Sequence, residues 1–273
     1  MPPLSKQTRY FLKKALEEDL GSGDQTSRLL IPSGVKAKAL IVAKSAGIFC
    51  GLPIIYFLCR ANGLEISLKR KLEGKAFCKG QTLFIMKGNL HALLAVERTL
   101  LNFLARLCGI ATLTHQFVQK VKSYGVRILD TRKTTPLWRE LEKYAVKIGG
   151  GFNHRMGLYD EIFVKENHKT FGNLQKLKKF SGGFVIEVRN RKEVDEAICL
   201  KPRVILFDNF SPKKLKMEAN YVRNQNPKIL LEASGGINLS NIVQYAKTGI
   251  DQISIGALTH SVPAMDLSLL VES

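Results

Sequence analysis

In one half of this sequence, chemically capable residues recur at one kind of place, the end of a short apolar run. Arg127-Ile128-Leu129 leads into Asp130-Thr131-Arg132-Lys133, Ile162-Phe163-Val164 into Lys165, Phe184-Val185-Ile186 into Glu187, and Val204-Ile205-Leu206-Phe207 into Asp208. Two later runs end in glycine: Ile229-Leu230-Leu231 precedes Glu232-Ala233-Ser234-Gly235-Gly236, and Ile253-Ser254-Ile255 precedes Gly256-Ala257. Cations, carboxylates and glycine turns together suit a phosphorylated, anionic substrate held with a metal ion. A Ser-Gly-Gly turn between a strand and a helix can converge backbone N–H groups on a phosphate. One or two such charges would be ordinary loop starts; a whole series is not what a purely structural chain needs.

Four further residues invite a role. Arg98 neighbours Leu94 and Leu101 at helical spacing, beside an apolar stripe. There it needs a partner, because an unpaired buried charge costs several kcal/mol. That partner is either an acid such as Glu97 or a substrate carboxylate gripped by the guanidinium fork. His154 and Arg155 follow Gly149-Gly150-Gly151, and His168 follows a strand-like run. Neither histidine has metal-ligand spacing, so both read as hydrogen-bonding groups, a role that binding a substrate would fit.

The elements that must position these groups are legible as a rhythm. Near-continuous apolar runs are the pattern of parallel strands buried on both faces. Helix-like segments separate them, at residues 137–148, 173–180, 191–200, 212–224 and 240–247. Repeated β-α units form an open doubly wound sheet or a closed α/β barrel, and in both the ligands gather at the carboxyl ends of the strands. The first half is less regular. Residues 5–20 read as an amphipathic helix ending at Gly21, followed by strand-like pieces at 37–44 and 64–72. A helix over 91–107 and a second over 113–124 come next. The resulting division is an N-terminal α+β domain over residues 1–105 and a β/α domain over 106–259, with a tail over 260–273 packing back on the first.

Composition narrows the class. The 273 residues are 45% hydrophobic and 24% charged, as in ordinary globular proteins. No apolar run approaches the ~20 residues that span a bilayer. The first twenty residues lack the order of a secretion signal. The five cysteines are odd in number, scattered and without a CxxC pair, which points to a reducing, cytoplasmic setting. The net charge of +19 suits polyanionic substrates or nucleic acid. Runs such as Lys176, Lys178 and Lys179 read as solvated faces, and no aromatic-studded basic motif for RNA is present. A non-catalytic RNA-binding protein is the alternative of a different class.

In order along the chain, LEEDLGSGDQTS, ERTLLNFLARLCGIATLT, DTRKTTPLWRELEKYAV, GGGFNHRMGLYD, VKENH, IEVRN, LFDNF, EASGGIN and GIDQISIGALTHS resemble the quinolinate phosphoribosyltransferase family. One departure is visible: the family usually reads Pro-Gly-Leu-Arg where this chain has Pro136-Leu137-Trp138-Arg139. The resemblance implies an N-terminal open-faced sandwich with an irregular seven-stranded α/β barrel. It also implies a homodimer with shared active sites, in some members a hexamer, acting on quinolinate and phosphoribosyl pyrophosphate with Mg2+ in NAD biosynthesis. On the family pattern Arg98, Arg132, His154, Arg155 and Lys165 bind quinolinate, with Arg98 crossing from the neighbouring subunit, and Lys133 lies between the substrates. Glu187 and Asp208 hold ribose and metal, and Thr131, Ser234, Gly235, Gly236, Gly256 and Ala257 hold the phosphoribosyl group. A related enzyme acting on nicotinate is the nearer alternative.

Overall fold

The computed structural model describes residues 4–68 and 71–272; Lys69 and Arg70, inside the strand expected over 64–72, lie outside them. In chain order the elements are α1 (Lys6–Leu20), α2 (Gln25–Leu30), β1 (Lys36–Ala43), β2 (Gly47–Ile48), α3 (Leu52–Ala61), β3 (Glu65–Ser67), β4 (Ala76–Phe77), β5 (Thr82–Asn89) and α4 (Leu90–Val121). Then follow β6 (Arg127–Leu129), α5 (Arg139–Ile148), β7 (Phe163–Val164), α6 (Glu166–Phe171), β8 (Val185–Val188), α7 (Arg191–Leu200) and β9 (Val204–Asp208). The last are α8 (Pro212–Gln225), β10 (Leu230–Ser234), α9 (Ile242–Ala246), β11 (Gln252–Ser254), α10 (Ala257–His260) and β12 (Leu267–Glu272). The chain divides into one compact unit of residues up to 113, 135–149 and from 262, and a second of 114–134 and 150–261.

The first unit is built on an antiparallel sheet in the order β12-β1-β5-β3. Along β1, Ala39, Ile41 and Ala43 are buried while Lys36 is exposed, the alternation of a strand with one face on a core. β12 lies antiparallel to β1, with Leu267 opposite Ala43 and Glu272 opposite Lys38, where their side chains form an ion pair. α1 starts at Ser5, whose side chain accepts from the Thr8 N–H, and ends at Gly21. The two helices expected over 91–107 and 113–124 are one, α4. Gly109 does not interrupt it; a Cβ there would lie 2.3 Å from the Pro263 carbonyl oxygen, so this glycine serves close backbone approach.

The second unit carries a parallel six-stranded sheet in the order β6-β11-β10-β9-β8-β7. Val185, Val204 and Leu206 form a buried apolar cluster, against which Phe163 and Leu230 pack. Six strands stand where seven were expected. The seventh position is held by one parallel bridge, Leu129 to Phe152, on the free side of β6. The glycines before Phe152, one of them (Gly150) at φ +93°, do not sustain a strand there. The helix expected over 173–180 is a 3-10 turn from Leu174 to Lys179, started by the Asn173 side chain, and Lys176, Lys178 and Lys179 are exposed.

Candidate active site

The residues from the strand ends meet in the second unit. Asp130, fully buried after β6, accepts the His154 N–H at 2.9 Å, while its own N–H reaches the Phe152 carbonyl at 3.1 Å. The turn that follows is tight: Thr131 Oγ1 accepts from the Lys133 N–H, and the Arg132 carbonyl accepts from the Thr134 N–H. Arg132 and Lys133 project from it, exposed. Lys133 is tied to the last strand-to-helix loop, since its carbonyl accepts from Thr259 Oγ1 at 2.7 Å. Its Cδ would lie 3.0 Å from a Cβ at Gly256, so the bare glycine leaves room for the lysine stem. Ala257 opens α10 beside it.

Glu187, next to the last residue of β8, and Asp208, the last of β9, share one cation, Arg189. Lys165 Nζ lies 3.6 Å from Glu187 Oε2. Arg189 spans both carboxylates, Nη2 at 3.4 Å from Glu187 and Nε at 3.6 Å from Asp208, and also pairs with Glu166. Arg189 was not among the expected site residues. Its signal was available, because two residues along a strand return to the same face, which places Arg189 with Glu187. The contacts to Glu187 and Asp208 are longer than tight ion pairs, and Glu187 is nonetheless buried.

Around Phe163 three of the expected quinolinate groups converge. The His154 ring stacks on it with centroids 5.4 Å apart, and the Arg155 guanidinium carbon and Lys165 Nζ each lie 4.9 Å from its centroid. His154 Nδ1 accepts the Arg155 N–H at 2.8 Å, and Nε2 lies 3.8 Å from Glu232 Oε1. With Nδ1 accepting, the proton of the neutral ring sits on Nε2. Arg155 is nearly buried and donates to the Glu161 carbonyl. Burial, and then the like charge of Arg132, weaken its hold on the proton against the opposing pull of Glu161 and Asp160. His168 Nδ1 accepts the Lys165 N–H, which makes it a cap for α6.

The Ser234-Gly235-Gly236 turn is braced by Asn209, another residue that sequence reasoning missed. Asn209 has φ +59°, donates its N–H to the Ser234 carbonyl, and its amide to Asp208. A Cβ at Gly235, φ +97°, would lie 2.1 Å from Asn209 Oδ1, so no other residue fits without moving the asparagine. Gly236 has open space beside it. α9 starts only at Ile242, and Asn238 Oδ1 takes the N–H groups of Ser240 and Asn241. A phosphate would therefore meet the glycine turn and not the helix start. Arg98 lies on α4 in the first unit and is exposed, so the burial argument for an internal partner does not hold there.

Among the described residues no group of three or more His, Cys, Asp or Glu side chains is placed to hold a metal ion. Glu187 and Asp208 offer two oxygen ligands, the donor type that Mg2+ prefers, and substrate oxygens or water would complete the shell. No helix among them is long and apolar enough to cross a membrane.

Comparison with known proteins agrees along the whole chain. Residues 24–108 match the model of the quinolinate phosphoribosyl transferase N-terminal domain, and residues 110–270 that of the C-terminal domain. The chain is 40% identical to a probable nicotinate-nucleotide pyrophosphorylase (carboxylating) of Methanocaldococcus jannaschii, over 94% of this chain and 95% of that protein. It is 40% identical to the protein of the same description from Bacillus subtilis, over 96% and 93%. The solved nicotinate-nucleotide pyrophosphorylase of Francisella tularensis superposes with a TM-score of 0.89 at 35% identity, covering 97% of this chain and 96% of that one.

Proposed function

The chain belongs to the quinolinate phosphoribosyltransferase family, and we propose the following reading of its strand-end site. It joins quinolinate to the phosphoribosyl group of phosphoribosyl pyrophosphate and removes one carboxyl as carbon dioxide, giving nicotinate mononucleotide and pyrophosphate. The observation that carries the substrate is Arg155, a nearly buried guanidinium whose charge is disfavoured by burial and by Arg132. A bound dianion reverses both effects, since it neutralises the two cations and replaces lost water with charge-assisted hydrogen bonds.

In this reading Arg132, Arg155 and Lys165 hold the two carboxylates of quinolinate. His154 supports them from beside Phe163, and Lys133 lies between the substrates. Thr131, Ser234, Gly235, Gly236, Gly256 and Ala257 receive the phosphoribosyl group. Departure of pyrophosphate leaves positive character at the ribose C1, which the carboxylates Glu187 and Asp208 stabilise. Mg2+, when bound with substrate oxygens, neutralises the leaving pyrophosphate. Once the pyridine nitrogen is ribosylated, its positive charge stabilises the carbanion left by carbon dioxide, and that carbon then takes a proton. The pairing of β6 with β11, first strand with last, and the Phe152 bridge on the far side of β6 support an irregular seven-stranded barrel. The exposure of Arg98 supports a homodimer in which the partner subunit's Arg98 completes the site. The scattered free cysteines support a cytoplasmic location.

Purified protein with quinolinate, phosphoribosyl pyrophosphate and Mg2+ should form nicotinate mononucleotide with one carbon dioxide per nucleotide. In calorimetry quinolinate should bind well over tenfold tighter than nicotinate, because a lost charge-assisted hydrogen bond costs roughly 1.5–3 kcal/mol. Equal affinities would remove the dicarboxylate reading. Mixing Arg98→Ala with Lys133→Ala protein should restore partial activity through hybrid dimers; no rescue despite subunit exchange would count against a shared site.

A further inference from the structure

We propose that Phe163 is a positioning residue for the dicarboxylate subsite: its ring is the platform that gathers Arg155, Lys165 and His154 before substrate arrives. This rests on the quinolinate reading above. Three cationic or potentially cationic groups drawn toward one small volume repel one another, and without a bound anion something must offset that repulsion. Lys165 has a partial partner in Glu187 at 3.6 Å. Arg155 has the Glu161 carbonyl and the pull of the Glu161 and Asp160 carboxylates, while burial and Arg132's like charge oppose its charged form more strongly. The aromatic quadrupole supplies the rest, with both cations 4.9 Å from the same centroid, inside the range in which a ring face attracts a cation.

The ring is itself held. Phe163 begins β7, whose Phe163 and Val164 pair in register with Val185 and Ile186 of β8, and it packs on the buried cluster of Val185, Val204 and Leu206. Two residues along the chain, Lys165 returns to the same face. On the loop side, His154 lies nearly parallel to the ring, 14° between planes. Its Nδ1 fixes the Arg155 backbone, so the ring aligns Arg155 through both the guanidinium and the main chain. A leucine would keep the apolar contact with the cluster and lose the π face. The cations would then spread toward water, and quinolinate would have to reassemble them on binding.

The prediction is specific to one substrate. In calorimetry, Phe163→Leu should weaken quinolinate binding roughly tenfold, the worth of two partly desolvated cation–π contacts. Affinity for phosphoribosyl pyrophosphate with Mg2+ should stay within about twofold, and Phe163→Tyr, which keeps the ring face, should bind quinolinate like the unaltered protein. In steady-state kinetics the loss should appear in KM for quinolinate more than in kcat. Should the leucine variant fail to fold by thermal unfolding, Phe163→Met provides the same comparison with a flexible filler. Unchanged quinolinate affinity in the leucine or methionine variant overturns the proposal. Parallel loss of both substrates, or equal loss in the tyrosine and leucine variants, also overturns it, because packing alone would then explain the effect. If the unaltered protein binds no quinolinate, the functional reading fails first, and this is seen before any variant is compared.

Discussion

Two buried carboxylates, one in each unit, are treated in opposite ways. Glu142 on α5 is fully buried and saturated: Arg106 Nε and Nη2 donate to it at 3.1 and 2.8 Å, and the Thr135 N–H and hydroxyl at 3.1 and 2.9 Å. Glu187 on β8 is nearly as buried, yet its cations stand off at 3.4 and 3.6 Å. A carboxylate surrounded by short donors is a structural fixture, since removing any donor exposes the desolvation cost of the whole group. A carboxylate held at longer range by exposed cations can exchange them for ribose hydroxyls or a metal without first breaking a strong network. The contrast separates fold from function better than burial does, because burial alone ranks the two side by side.

The comparison breaks if substitution affects the two in the same way. Arg106→Ala should cost about 3 kcal/mol of stability, because buried Glu142 loses two of its short donors. Glu187→Gln should leave the unfolding midpoint nearly unchanged and lower kcat on the order of 10²-fold, the usual loss when one preorganised electrostatic group is removed from a reacting centre. Chemical denaturation and steady-state kinetics on both variants decide it. A Glu187→Gln protein destabilised as severely as Arg106→Ala would assign Glu187 to the scaffold.

This distinction marks how far the residues alone could be read. The strand ends were legible because parallel strands buried on both faces appear as apolar runs, and the chemistry sits where those runs stop. Lys133, Lys165, Glu187 and Asp208 were found that way. Arg189 was passed over although its spacing from Glu187 put the two on one face; its reach to Asp208 depends on β8 lying beside β9, a pairing that no local pattern encodes. Asn209 escaped for a different reason: its left-handed backbone and its contact with Gly235 are properties of the folded turn. The break expected between 107 and 113 does not occur in α4; Gly109 lies in that stretch, and its lack of a side chain serves a chain segment more than a hundred residues away.

A third carboxylate sharpens the contrast. Glu232 is fully buried on β10; Oε2 accepts from Gln252 Nε2 at 2.6 Å, while Oε1 has no hydrogen-bond partner among the described residues. It lines a cavity of about 170 Å³ together with His154, Glu161, Arg203 and Arg127. Burial raises its pKa, against hydrogen bonds from Ser254 and Gln252; Glu161 adds to the rise and Arg203 opposes it. The folded state therefore holds this proton more tightly than the unfolded state, whose glutamates titrate near 4.3. Its contribution to stability is full below that value and declines as pH rises toward the folded pKa. Glu232→Gln removes the titration, so unfolding free energies of variant and parent should diverge in favour of the variant as pH rises. Parallel curves from pH 4 to 8 would mean that Glu232 titrates alike in both states.

The smallest effect belongs to the first unit, at Pro136-Leu137-Trp138-Arg139. Leu137 has φ +66°, a left-handed conformation that costs a branched residue about 1–2 kcal/mol and glycine nothing. Its side chain is 67% exposed and contributes little burial in return. What holds the backbone there is the next residue. Trp138 stacks on Phe103 with centroids 4.4 Å apart and meets the edge of Phe11 at 5.8 Å. Leu137→Gly relieves the strain but gives the unfolded chain more freedom, worth about 0.5–1 kcal/mol against folding. The net expectation is a gain of about 0.5 kcal/mol, or roughly 1–2 °C in Tm for a chain this long. Leu137→Ala is the control, since alanine keeps the Cβ that makes the conformation costly and should show no gain. If alanine stabilises as much as glycine, the exposed leucine itself is the burden and not its backbone. If both substitutions destabilise, the leucine side chain makes a contact that its exposure conceals, and the strain at this turn is offset at Leu137 and not by Trp138.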